Sequence, residues 1–137
     1  MAVKLVVFGL TITSSWGNGH ATLWRALCRA LVQRGHRVVF FERDERWYAA
    51  ERDLTDMDGV EIVLYRRWDD VRPRAERALH EADVGMVTSY CPDGVAASDL
   101  VLASRAARVF YDLDTPVTLA RLMAGEHVPY LPPGGLG

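Results

Sequence analysis

Val3-Lys4-Leu5-Val6-Val7-Phe8-Gly9, the polar loop Leu10 to Gly19, and the segment from His20 to Arg34 that closes on Gly35 together decide the fold. The first seven residues are a short, β-branched apolar run, the pattern of a strand buried on both faces. From His20 the period changes. Arg25, Arg29 and Gln33 recur every fourth residue and mark a wet stripe, while Leu23, Leu27, Ala30 and Leu31 mark a packed side, as in an amphipathic helix. Gly35 ends that helix where a left-handed residue is needed. One strand, one glycine-bearing loop and one helix make a β-α unit.

The same unit recurs along the chain. Val38-Val39-Phe40-Phe41 lies within a second strand from His36 to Glu42, followed by a short helix from Arg46 to Arg52. Val60 to Tyr65 is a third strand. Asp70 is placed to cap a third helix with Pro73 in its first turn, running to Glu81. Ala82 to Ser89 and Arg108 to Leu113 are strands four and five, separated by a helix over Asp93 to Ala103. Thr115 as cap and Pro116 at the first helical position open a fifth helix to Ala124. Five such units predict an α/β domain of the three-layer, doubly wound, Rossmann-like kind, with a mainly parallel sheet of five strands. Right-handed crossovers put every strand-to-helix loop on one edge of the sheet, where open α/β sheets bind ligands. That domain spans 1–126. Residues 127–137 carry Pro129, Pro132, Pro133, Gly134, Gly135 and Gly137, which forbid helix or central strand and are expected to form a tail or truncated linker.

The totals exclude several classes. With 137 residues one domain is expected, and half hydrophobic with a quarter charged is globular composition. A formal net charge of -2 gives no electrostatic footprint for nucleic acid or anionic lipid. No apolar run approaches the roughly 20 residues of a membrane span. Ser14-Ser15-Trp16-Gly17 is a poor cleavage site, so the start is a strand rather than a signal peptide. Cys28 and Cys91 match no metal or redox spacing, in keeping with a reduced, cytoplasmic protein.

Four loops carry residues able to do chemistry. In the first, Trp16-Gly17-Asn18-Gly19-His20, two glycines before a helix let backbone amides approach a ligand, and the helix start favours phosphate or a developing oxyanion. His20 falls in the first turn, where the dipole disfavours imidazolium and leaves a neutral ring able to accept a proton; the plain alternative is a turn with a polar first residue. Gly17-x-Gly19 with Glu42 as a ribose acid invites a nicotinamide or flavin reading, but Thr22 stands where a third small residue belongs. The second loop, Glu42 to Tyr48, suits either a polyol site or a self-paired charged loop. Cys91 in the fourth loop lacks any activating feature and is a plain loop cysteine. Asp112 and Asp114 in the fifth could hold hydroxyls or a metal, or Asp114 and Thr115 could simply cap the next helix.

Three stretches together resemble a known family: Ser15-Trp16-Gly17-Asn18-Gly19-His20-Ala21; Val38 to Asp44 with Trp47-Tyr48 and Arg52-Asp53-Leu54; and Phe110 to Leu119. Over residues 3 to 120 they are similar to the N-terminal region of bacterial glycosyltransferases related to the spore-maturation protein CgeB, of GT-B architecture. The resemblance implies two Rossmann-like domains facing a cleft, the N-terminal one holding the acceptor and the other most of a nucleotide-sugar co-substrate. It implies His20 as the base that deprotonates the acceptor hydroxyl, or a hydrogen-bond donor in a retaining enzyme. Trp16, Gly17, Asn18, Gly19, Glu42, Asp112, Asp114 and Thr115 would contact substrate, with no metal and no permanently bound cofactor. The partners expected are a small-molecule or glycan acceptor and a C-terminal donor-binding domain that this chain does not contain. The chain alone is expected to be inactive, and its open face to favour self-association. A stand-alone binding module and, less so, an oxidoreductase domain are the alternatives.

Overall fold

The apolar run predicted as the first strand is buried on both faces of the sheet, Val6 and Phe8 in one core and Leu5 and Val7 in the other, which is why it needs no polar face. The computed structural model describes all 137 residues, Met1–Gly137. Strand β1 (Lys4–Gly9) lies at the centre of a five-stranded parallel sheet, with β2 (Arg37–Arg43) and β3 (Val60–Tyr65) on one side and β4 (Val84–Thr88) and β5 (Ala107–Tyr111) on the other. The order is β3-β2-β1-β4-β5, so the winding reverses between β1 and β4. That reversal makes the sheet doubly wound, and the carboxyl ends of these two strands are where sheets of this kind bind ligands.

Helices cover both faces, giving three layers. On one face α1 (His20–Gln33) packs Ala21, Trp24 and Cys28 over Leu5, Val7, Val38 and Phe40. On the other, α3 (Trp68–His80) and α4 (Gly94–Ala103) bury Val71, Ala75, Leu79, Ala97 and Val101 against Val6, Phe8, Val39, Phe41 and Val87. The short α2 (Arg46–Ala50) follows β2, and α5 (Thr115–Met123) follows β5. No helix is long and apolar enough to cross a membrane.

Several boundaries differ from the sequence expectations for physical reasons. The deep stripe of α1 is Ala21-Trp24-Cys28, and Leu23, Leu27, Ala30 and Leu31 flank it half-buried. Trp24 sits edge-on to both Phe40 and Tyr111, which centres the helix on the indole. Helix α3 begins at Trp68, not after Asp70, because Trp68 packs on Phe8 and Tyr65. Pro73 is therefore inside the helix, and the Asp69 carbonyl that its missing N–H cannot serve belongs to an exposed residue. Asp114 takes the cap position of α5 and Thr115 opens the helix, with Pro116 second.

Gly35 ends α1 as expected. It has φ +86°, its N–H bonds Val32 and that of His36 bonds Leu31, the paired closure that requires a left-handed residue. Residues 127–137 form neither helix nor strand, as the prolines and glycines dictate, but the segment is not a free linker. Val128, Tyr130 and Pro132 are buried. The Tyr130 ring stacks on Phe110, and its hydroxyl shares a 2.6 Å hydrogen bond with Thr118, which seats the segment on β5 and α5.

Candidate functional site

The loop after β1 is held down almost to its tip. Thr11, Ile12, Thr13 and Ser14 are fully buried. Glu42, at the end of β2, pairs in register with Gly9, so its side chain lies under the start of this loop. Its carboxylate accepts bonds from the Ile12 and Thr13 amides at 2.6 and 3.0 Å and from the Thr13 hydroxyl at 2.6 Å. Glu42 has no exposed surface and both oxygens are occupied. It is a loop anchor, not a ligand for a substrate hydroxyl or a ribose, which corrects the sequence expectation.

The segment after α2 completes the fastening. The Asp53 and Leu54 amides donate to the Thr13 carbonyl. Ser14 donates to the Glu51 carbonyl, and Ser15 donates to Asp53 through both amide and hydroxyl. Arg25 bridges the Ile12 carbonyl and Asp53, and with Ser15 it holds the Asp53 carboxyl well below the usual carboxylate range. Arg52 joins Thr13 to Asp44. Arg43 meanwhile contacts Glu45 within the second loop and Asp93 at the start of α4, so the charges of that loop pair partly with each other and partly with neighbouring segments.

What remains free is the tip, Trp16 to Gly19. Trp16 is 53% exposed, an indole face open to solvent. Gly17 has φ +65°, a backbone that suits glycine, and a side chain at Gly17 or Gly19 would meet open space. Asn18 is committed locally. Its side-chain oxygen accepts the His20 and Ala21 amides at 2.9 and 3.2 Å, and its nitrogen donates to the Ser14 and Trp16 carbonyls. Asn18 thus satisfies the first two orphan donors of α1, and the tip offers a ligand only its backbone and the indole.

His20 opens α1 at the rim, 7% exposed. Its Nδ1 is buried and has no hydrogen-bond partner. Burial holds the imidazole below its ordinary pKa of 6.5, with the opposing charges of Asp112 and Asp114 pulling it back up. The ring is therefore neutral near pH 7 and close enough to both carboxylates to feel them. Asp112 accepts the Asp114 amide at 2.9 Å, a local turn that shapes the β5–α5 loop, and the Leu113 amide donates to Ser89. The tips of β1, β4 and β5 thus bring His20, Asp112 and Asp114 together. Thr115 is exposed beside them, and Glu42 is not part of the group.

Sequence reasoning missed Tyr90. It follows β4 at the point where the winding reverses, and it has φ +62°, the single non-glycine residue of the chain in the left-handed region. A bulky side chain there costs about 1–3 kcal/mol and persists only where its surroundings enforce it. The hydroxyl donates to Asp114 at 2.6 Å, which with burial pushes the phenol up to about 12. The ring stands nearly perpendicular to His20, centroids 5.9 Å apart, and packs on Tyr130 at 5.0 Å. Its place at the end of a central strand was the available signal; a left-handed tyrosine leaves no mark in a sequence.

Cys91 beside it is buried and its thiol is pushed up to about 12 by burial, so it is no nucleophile near neutral pH. No three His, Cys, Asp or Glu side chains are grouped to hold a metal ion. The rim can therefore accept a proton at a neutral imidazole that lies within the field of two carboxylates, stack an apolar face on Trp16 and offer amides at a glycine-bearing tip. No protein-family model matches the chain, and no curated protein matches it.

Proposed function

We propose that the rim at the β1/β4 reversal is the acceptor side of a glycosyl-transfer site, and that the chain is the N-terminal half of a GT-B glycosyltransferase of the CgeB-like kind. The observation that carries this reading is the meeting of His20, held neutral by burial, with Asp112 and Asp114 at the point where the sheet reverses. In an inverting transfer His20 takes the proton of an acceptor hydroxyl as that oxygen bonds the anomeric carbon, and the nucleoside diphosphate leaves with the electrons of the broken C–O bond. Asp112 would orient neighbouring hydroxyls, and Trp16 would stack the apolar face of a sugar. The donor would be held chiefly by a second domain, so transfer by this chain alone is not expected. Glu42 argues against the nicotinamide alternative, since the acid that would bind a ribose is consumed inside the loop.

The test has two arms. Titration of the ¹⁵N-labelled chain with oligosaccharides is expected to move the amides of Trp16 to Gly19 and of Tyr90, while NADH or flavin moves none. Saccharides that leave the rim untouched, with a nicotinamide that binds it, would reverse the assignment. In a two-domain enzyme containing this half, His20→Ala is expected to slow turnover by about two to four powers of ten; an unchanged rate removes the imidazole from the chemistry.

A further inference from the structure

Tyr90 combines three features that its neighbours in the loop Ser89–Asp93 lack. Its backbone is left-handed, its hydroxyl is bonded to Asp114 and its ring stands against His20. Three of the loop's other side chains are engaged elsewhere. Ser89 receives the Leu113 amide, Cys91 belongs to the α3/α4 core cluster, and Asp93 receives the Tyr65 hydroxyl. A glycine would follow that backbone without strain, so a tyrosine with φ +62° is held there by what its side chain touches. The conformation directs the phenol from the tip of β4 to the carboxylate at the tip of β5, and leaves the ring beside the first residue of α1.

We propose that Tyr90 is a positioning residue. It ties the Asp114 carboxylate and the His20 imidazole into one fixed arrangement, and its strained backbone is the conformational cost of that placement. The inference rests on His20 being the working group of the rim, and it adds the device that sets its charge state. The groups acting on the imidazole are few. Asp112 and Asp114 face it from the β5–α5 loop, Tyr90 from the β4–α4 loop, and the first turn of α1 contributes no acidic residue. With the phenol donating to Asp114, part of that carboxylate's field is spent on the hydroxyl. With the ring in place, water is kept from one side of the imidazole. Both effects keep the imidazole neutral. Tyr130 packs against the Tyr90 ring, centroids 5.0 Å apart, and helps to hold it.

The experiment is an NMR titration of the imidazole signals in the 137-residue chain, with His20 assigned by its loss in His20→Asn. Its readout is the chain's own titration, so failure to bind sugar leaves the inference standing, and a flat result sinks it whatever the ligand. The wild-type midpoint is expected below 6.5. Tyr90→Phe keeps the ring and removes the hydroxyl, so Asp114 acts on His20 unshielded and the midpoint rises by about half a pH unit. Tyr90→Ala also admits water and raises it further. Tyr65→Phe is the control. It removes a matching tyrosine–aspartate bond, to Asp93, on the same edge of the sheet and is expected to leave His20 unmoved. If Tyr90→Phe leaves the midpoint within about 0.1 pH unit of wild type, or if Tyr65→Phe moves it as far, Tyr90 has no positioning role. Should Tyr90→Ala fail to fold, the Phe variant alone decides.

Discussion

At the scale of single residues, two side chains of similar polarity end with opposite tasks. Glu42 and Asp112 both sit at strand tips where α/β sheets bind ligands, and the sequence assigned both to substrate. Register separates them. Glu42 pairs beside Gly9, under the loop that leaves β1, so three donors of that loop claim its carboxylate. Asp112 directly follows β5 at an edge of the sheet, where it accepts one turn bond from the Asp114 amide. Removing the Glu42 carboxylate strands the Ile12 amide, the Thr13 amide and the Thr13 hydroxyl in a fully buried place. Glu42→Ala is therefore expected to lower the free energy of unfolding by about 3–5 kcal/mol in a urea titration, far beyond the loss of a surface carboxylate. A loss under about 1 kcal/mol would show that water replaces the bonds and that Glu42 is no anchor.

Elements were legible where one periodicity dominated. β3 runs Val60–Tyr65 as its apolar pattern indicates, and α1 closes on Gly35 because only that backbone can bring two successive amides back to Leu31 and Val32. The starts of helices were harder, since an N-terminus is set by whatever supplies acceptors or packing nearby. Trp68 draws α3 forward onto Phe8 and Tyr65. Asp114 caps α5 by position while its carboxylate is turned to Tyr90. In α1 the cap residue Gly19 has no side chain, and Asn18 one place earlier serves both leading amides. Asn18→Ala is expected to cost about 1 kcal/mol of stability and to speed hydrogen exchange at the His20 and Ala21 amides. Unchanged exchange at those two would mean the cap is made elsewhere.

At the scale of the molecule, the last residues matter more than their composition suggests. Gly94 opens α4 with its Cα against the chain at Tyr130. A methyl group there would come within 2.8 Å of the Tyr130 carbonyl oxygen and 2.9 Å of its Cα. Backbone cannot yield as a flexible side chain can, so Gly94→Ala is expected to lift Val128–Pro132 from the domain. Chymotrypsin should then cut at Tyr130, which is 2% exposed in the native fold, before the rest of the chain is attacked. Equal resistance in wild type and variant would show that the segment is held by Thr118 and Phe110 alone. The same change is expected to loosen the Tyr90 ring, since Tyr130 packs against it.

The sequence by itself determined the alternation of strands and helices, the parallel sheet and the edge on which a site must lie, because these follow from local periodicity and the handedness of crossovers. It also placed His20 at a helix start and the two acids at the tip of β5. Only the tertiary structure decided that Glu42 is consumed inside a loop, that Asn18 caps α1, that the tail is seated, and that a left-handed Tyr90 joins Asp114 to His20. Those outcomes depend on which strand tips become neighbours and on which donors compete for each oxygen, and residues far apart in the chain settle both.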